Sequence, residues 1–150
     1  MLISIEIEGE LMAGLRFLER LRILNREPDR RVAATAEEVL QSVTKYVSKI
    51  LNTRQGSTVI DKNFGIPDFT SAGLSFTNDD MTSIEQELSA FIERCEPRLQ
   101  HVEVHFSPDE GSNLQMVFNV KAELSFANDQ IYPVHLVTRV DPLGKVTVTK

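Results

Sequence analysis

Cutting a glycosidic bond takes two carboxyl groups flanking it, one of them kept protonated by an apolar setting. The acids to try are Glu87, Glu93 and Glu96, on or just after one amphipathic segment, with Asp61 and Asp68 in the loop before it. Glu87 and Glu93 fall on the polar side of that segment beside Gln86 and Arg94, where nothing apolar would hold a proton on them. There is no tryptophan, and Tyr46 and Tyr132 are the only tyrosines, which leaves little for a sugar-stacking cleft. His101, Glu103 and His105 share one strand face, and a neighbouring strand carries His135. Residues two apart on a strand lie about 6.6 Å apart at ~3.3 Å per residue, close enough to share a metal, but His101 and His105 would stand about 13 Å apart. A two-plus-one site using His135 is the geometry left, and an exposed polar face is the plainer reading. No Gly-x-Ser-x-Gly occurs, and Gly56 and Gly65 lack the lysine and spacing of a phosphate loop. The residues call for no catalytic group, metal or cofactor.

Glu96-Pro97-Arg98 is of another kind. Proline fixes the backbone where the amphipathic segment gives way to the first strand, so the two charges are held instead of sweeping freely. Arginine offers a planar fork that suits carboxylates and backbone carbonyls. Read from its residues alone, the tripeptide is a local ion pair at a turn, worth little to stability if exposed. It would still serve as a rigid anchor for a partner.

The elements that must hold these groups are set by hydrophobic period. Val39, Leu40, Val43, Val47, Ile50 and Leu51 recur at three- and four-residue intervals and predict a helix over 35–52, with Thr35 and Glu38 as a capping box. Met81, Ile84, Leu88, Phe91, Ile92 and Cys95 predict a second over 79–95, closed by Pro97. Cys95, on that stripe, reads as a small core residue. After Pro97 the period falls to two. Strands are expected around Val102–Phe106, over 114–126 and 132–140, and briefly over 145–149, with turn formers between them. Short connections imply antiparallel neighbours. The fold class is therefore α+β: two main helices on one face of an antiparallel sheet of about four strands.

Ahead of this body, residues 14–25 form a helical arm with Leu15, Phe17, Leu18, Leu21 and Leu24 towards one side and Arg16, Glu19, Arg20 and Arg22 towards the other. An isolated helix of about 12 residues is marginal in water, so this apolar side needs another surface to cover it. Residues 2–8 alternate like a strand, and residues 1–11 read as an upstream extension or an extra edge strand. The organisation is an extension and arm over 1–34 and a main domain over 35–150. A net charge of −6 argues against general nucleic-acid binding. No apolar run reaches the roughly 18 residues of a membrane span, and an acidic start argues against a signal peptide. One cysteine forms no internal disulfide. The expectation is a cytoplasmic protein with no membrane insertion.

Four pieces of the sequence come in a telling order: Phe17-Leu18-Glu19-Arg20-Leu21, the loop Asn52-Thr53-Arg54-Gln55-Gly56-Ser57, Phe64-Gly65-Ile66-Pro67-Asp68-Phe69, and Glu96-Pro97-Arg98-Leu99. Together they resemble the lysozyme-like baseplate wedge family of contractile phage tails and type VI secretion systems. The resemblance spans residues 14–150; residues 1–11 have no counterpart in it. It implies a structural baseplate subunit, not an enzyme, joining larger baseplate wedge proteins and initiating assembly of the contractile sheath. It implies an assembly contact at Glu96, Pro97 and Arg98. The arm residues Leu18, Arg20 and Leu21 are a second candidate partner surface. Val146 and Val148 on the last strand are a third, as an edge open to a strand of a sheath subunit. The reading from a different class is a small peptidoglycan hydrolase, which the family's lysozyme-like label invites.

Overall fold

The computed structural model describes residues 14–29, 34–57, 59, 61, 64–66, 77–108, 116–126 and 130–150. The strand expected over 2–8, the candidate acid Asp68 and most of the two turns around 109–111 and 127–129 lie outside them. Among the described residues three helices and four strands succeed one another: α1 (Phe17–Arg26), α2 (Ala36–Leu51), α3 (Asn78–Cys95), β1 (Leu99–Pro108), β2 (Met116–Phe126), β3 (Gln130–Val140) and β4 (Val146–Thr149). The α+β class holds, and the sheet is an antiparallel meander in the order β1-β2-β3-β4.

Both long helices begin as their sequences dictate. The Thr35 hydroxyl accepts from the Glu38 amide at 3.2 Å, and the Glu38 carboxylate accepts from the Thr35 amide at 2.9 Å. Thr77 and Asp80 repeat the device on α3. There the Thr77 hydroxyl, and next its amide, hold the Asp80 carboxyl below its usual range. That cap is complete above the ordinary aspartate range and is lost as pH falls through the lowered one. Val39, Val43, Val47, Ile50 and Leu51 of α2 are buried, and Ser42 is buried on the same stripe. From α3, Ile84, Leu88, Phe91 and Ile92 join them.

The inner face of the sheet completes the core with Val104, Phe118, Val120, Ala122, Leu124, Val134, Leu136, Val140 and Val146. One irregularity keeps the alternation in step. Leu99 and Val102 are three apart yet both buried. His101, at φ 50, forms a bulge between the pairs Gln100–Glu123 and Glu103–Lys121, so β1 spends one extra residue without turning its apolar side outward.

α3 also closes the outer edge of β1. The Glu93 carboxylate accepts from the His101 amide at 3.0 Å, the Ser89 hydroxyl from Val104 at 3.1 Å, and the Glu85 carboxylate from Phe106 at 2.6 Å. The match is geometric. Four residues of helix rise about 6.0 Å and two of strand about 6.6 Å, so side chains spaced by four along α3 keep step with β1, meeting amides two apart at Val104 and Phe106 and three apart across the bulge at His101.

Candidate functional site

The two loop motifs singled out in the sequence meet in space. Arg54 and Ile66 form a parallel bridge, with the Gln55 amide donating to the Ile66 carbonyl at 3.0 Å and the Ile66 amide to the Thr53 carbonyl at 2.9 Å. Between them Gly65 sits at φ 112, and a β-carbon there would lie 2.5 Å from the Thr53 carbonyl oxygen. Only glycine fits. Phe64 then packs edge-on against Phe91 of α3, ring centroids 5.8 Å apart, which fastens the loop to the core.

The first residue of this loop reaches the opposite end of the chain. Asn52 accepts from the Val146 amide at 2.9 Å and donates to the Val146 carbonyl at 2.8 Å. Its amide therefore stands where the next strand of the sheet would begin. Val146 is buried and its outward backbone groups are taken, contrary to the expectation of an open edge there. Two residues on, the backbone of Val148 points the same way, and no group among the described residues meets it. Asn52→Ala is expected to expose the Val146 backbone and to make its amide exchange with solvent at least tenfold faster. Amide hydrogen exchange measures this, and an unchanged rate would show that the loop does not cap the edge.

Glu96, Pro97 and Arg98 end α3 and open β1. The ion pair expected there is present, with the Arg98 fork on the Glu96 carboxylate at 2.8 and 2.7 Å. Its setting is not the exposed turn the residues suggest. Glu96 is 1% exposed and the Arg98 side chain 15%. Arg98 Nη1 also donates to the Ser42 hydroxyl at 2.9 Å and to the Gly14 carbonyl at 2.6 Å. The Ser42 hydroxyl in turn donates to Glu19 at 2.5 Å. Arg16 completes the knot, with its guanidinium 3.0 Å from the centroid of the Tyr46 ring and 3.3 Å from the Glu96 carboxylate.

The arm is consequently docked the other way round from its hydrophobic pattern. Arg16 and Glu19 face the body, while Phe17, Leu18 and Leu21 are 63%, 64% and 46% exposed. Leu15 alone of the apolar side is packed against the core. The reason is electrostatic. A buried carboxylate, guanidinium and hydroxyl at the corner demand polar partners, and the arm's charged side supplies them. Along the seam of α1 and α2 runs a groove of about 370 Å³, lined by Leu15, Glu19, Arg22, Ile23, Glu38 and Lys45 among others. The structure thus brings Glu96 and Arg98 together with the arm, while Val146 and Val148 lie at the far end of α2. The sequence assigns no role to Ser42, Tyr46 or Arg16, and marks Asn52 only as the start of a loop motif. The one signal pointing to Ser42 was a polar residue set in the apolar stripe of α2.

The three glutamates considered for hydrolysis sit in three different settings. Glu87 is exposed, Glu93 caps β1, and Glu96 is gripped by two guanidiniums. On the outer sheet face Lys121 pairs with both Glu103 and His135 and so stands between them. His101 bonds instead to Glu123 at 2.9 Å. Among the described residues no group of three metal-ligating side chains converges.

The family model of the baseplate wedge protein gp25 matches residues 37–129, from the start of α2 to just beyond β2. This chain belongs to that family. A comparison with curated proteins gives no significant match. Among solved structures, the wedge chain is similar to a chain of the baseplate complex from the type VI secretion system. They share 24% identity and a TM-score of 0.54, covering 69% of this chain and 93% of that one. It is also similar to a Geobacter sulfurreducens protein provisionally named a tail lysozyme, with 19% identity, a TM-score of 0.50, and 71% and 92% covered. Both likenesses concern the fold. The family match ends before β3 and begins after the arm, so the docking of α1 on the corner is seen only in the structure.

Proposed function

We propose that this protein is a structural subunit of a type VI secretion baseplate, of the TssE kind, that joins the larger wedge proteins and initiates sheath assembly. The observation that carries the reading is membership in the baseplate wedge family across α2, α3 and the first half of the sheet. The likeness to a chain of a type VI baseplate supports it. Three surfaces would do the work. The arm, with Leu18, Arg20 and Leu21 turned outward, meets a wedge protein. The corner Glu96-Pro97-Arg98 contributes through the face that now receives the arm. The β4 edge at Val148, with Val146 behind it, accepts a strand from a sheath subunit. The protein acts in the cytoplasm, at the inner face of the membrane, without entering it. No helix among the described residues is long and apolar enough to cross a membrane. Residues 1–34 serve as extension and arm, and 35–150 as the wedge domain.

A hydrolase reading finds no support in the site. Glu87 is exposed with no bonded partner among the described residues, Glu93 gives one oxygen to the His101 amide, and Glu96 gives both to Arg98. The purified protein is expected to release no soluble fragments from peptidoglycan. In cells making the whole apparatus it is expected to co-purify with the wedge proteins. Clearing of cell wall that disappears on Glu87→Gln, together with a failed co-purification, would reverse the assignment.

A further inference from the structure

The contacts that hold the arm describe a receptor more than a hinge. Its floor belongs to rigid elements: Ser42 and Tyr46, one turn apart on α2, and Glu96 and Arg98 at the proline corner. Ser42 is 4% exposed and Glu96 1%. Each floor group takes one feature of the arm. Arg98 takes the Gly14 carbonyl. The Tyr46 ring and the Glu96 carboxylate take the Arg16 guanidinium between them. Ser42 takes the Glu19 carboxylate, which also closes the start of α1 by accepting from the Arg16 amide at 3.0 Å. The occupant is therefore defined by spacing. It has a carbonyl two residues before an arginine, and a glutamate three residues after it in the first turn of a helix.

Apart from Leu15, which packs against the core, the occupant is held by these bonds. No residue of α1 is buried, and its apolar side faces out. The fit is also incomplete, because the Nε groups of Arg16 and Arg20 are buried with no partner among the described residues. A short helix docked through charge, with donors left unmatched, is a replaceable ligand.

We propose that Ser42, Tyr46, Glu96 and Arg98 form a receptor for a helix start of the pattern carbonyl-x-Arg-x-x-Glu, filled in cis by the arm and open in trans to a partner segment of the same chemistry. That a baseplate protein supplies the segment rests on the function proposed above; the receptor does not. Tethering gives the arm an effective concentration of order millimolar, so an untethered segment competes poorly until the arm is weakened.

The test uses the full chain and a fluorescent peptide of residues 14–27. In fluorescence anisotropy, a chain carrying Arg16→Ala and Glu19→Ala is expected to bind the peptide at least tenfold more tightly than the unaltered chain. Binding should be lost when the peptide itself carries Arg16→Ala, and when the vacated chain also carries Glu96→Gln. Equal binding by vacated and unaltered chains, or indifference to Arg16→Ala in the peptide, overturns the receptor. Should the vacated chain unfold, hydrogen exchange on the unaltered chain decides. Millimolar peptide must speed exchange across residues 17–26, and unchanged rates overturn the proposal. A chain that passes these tests yet fails to co-purify with wedge proteins keeps its receptor and loses the baseplate assignment.

Discussion

Arg98→Ala is expected to lower folding stability by about 3–5 kcal/mol, because it strips a buried carboxylate of its main partner. Glu96 is 1% exposed and would keep only the longer contacts to Arg16, at 3.3 Å, and to the backbone amide of residue 98, at 3.4 Å, while Ser42 and the Gly14 carbonyl lose their shared donor. Against a typical total of about 5–15 kcal/mol this is a large share, and the melting point should fall by roughly 10 °C or more. Arg98→Lys should recover only a fraction, since an ammonium cannot hold the carboxylate with a fork and reach Gly14 and Ser42 as well. The measurement is urea unfolding of the purified variants. A midpoint equal to that of the unaltered protein would return the corner to the exposed ion pair its sequence suggests. The result also governs assembly experiments. Loss of co-purification by Arg98→Ala implicates the corner in binding only where the variant is still folded at the temperature used.

Gly65→Ala should be nearly as damaging, by about 2–5 kcal/mol. Part is the left-handed backbone, ~1–2 kcal/mol for a residue with a β-carbon. The rest is overpacking, typically ~1–3 kcal/mol, which here has no relief. The new atom would lie 2.5, 2.6 and 2.7 Å from backbone atoms of Thr53, Arg54 and Gln55, none of which can rotate away. The pairing of the two loops would open and Phe64 would leave Phe91. Gly56→Ala is the internal control. Its φ is 78, but a β-carbon there meets nothing within 4 Å, so only the backbone cost of ~1–2 kcal/mol applies. Urea midpoints for the pair should differ clearly. If they coincide, the close approach at Gly65 relaxes and the loop contact is soft.

The elements were legible in the sequence because they obey local rules. Thr35 with Glu38, the stripes of α2 and α3, and the alternation of β2 each speak within a few residues. What escaped is polar and distant in sequence. Hydrophobic periodicity assigns Arg16 and Glu19 to solvent, since it has no way to register that Glu96, 80 residues on, is buried and wants a second guanidinium. The same blindness hid Asn52, whose strand-like amide is meaningful only beside Val146. The bulge at His101 was concealed because alternation read from Val102 onward is perfect, and only Leu99 breaks step. Motifs drew attention to Gly65, Asn52 and the Glu-Pro-Arg corner, but their physical reasons are tertiary.

The row of Glu85, Ser89 and Glu93 along β1 has a consequence best put in the language of polymer chemistry. A unit able to link through both edges of its sheet is bifunctional and grows chains of copies without limit. Among the described residues one edge is spent on the protein's own helix, and the other is narrowed by Asn52 to the backbone at Val148 and beyond. The described sheet is therefore monofunctional. On the function proposed for the β4 edge, such a unit would end a stack of strands or start one, always with the same polarity, and two copies joined edge to edge would leave no third place to add.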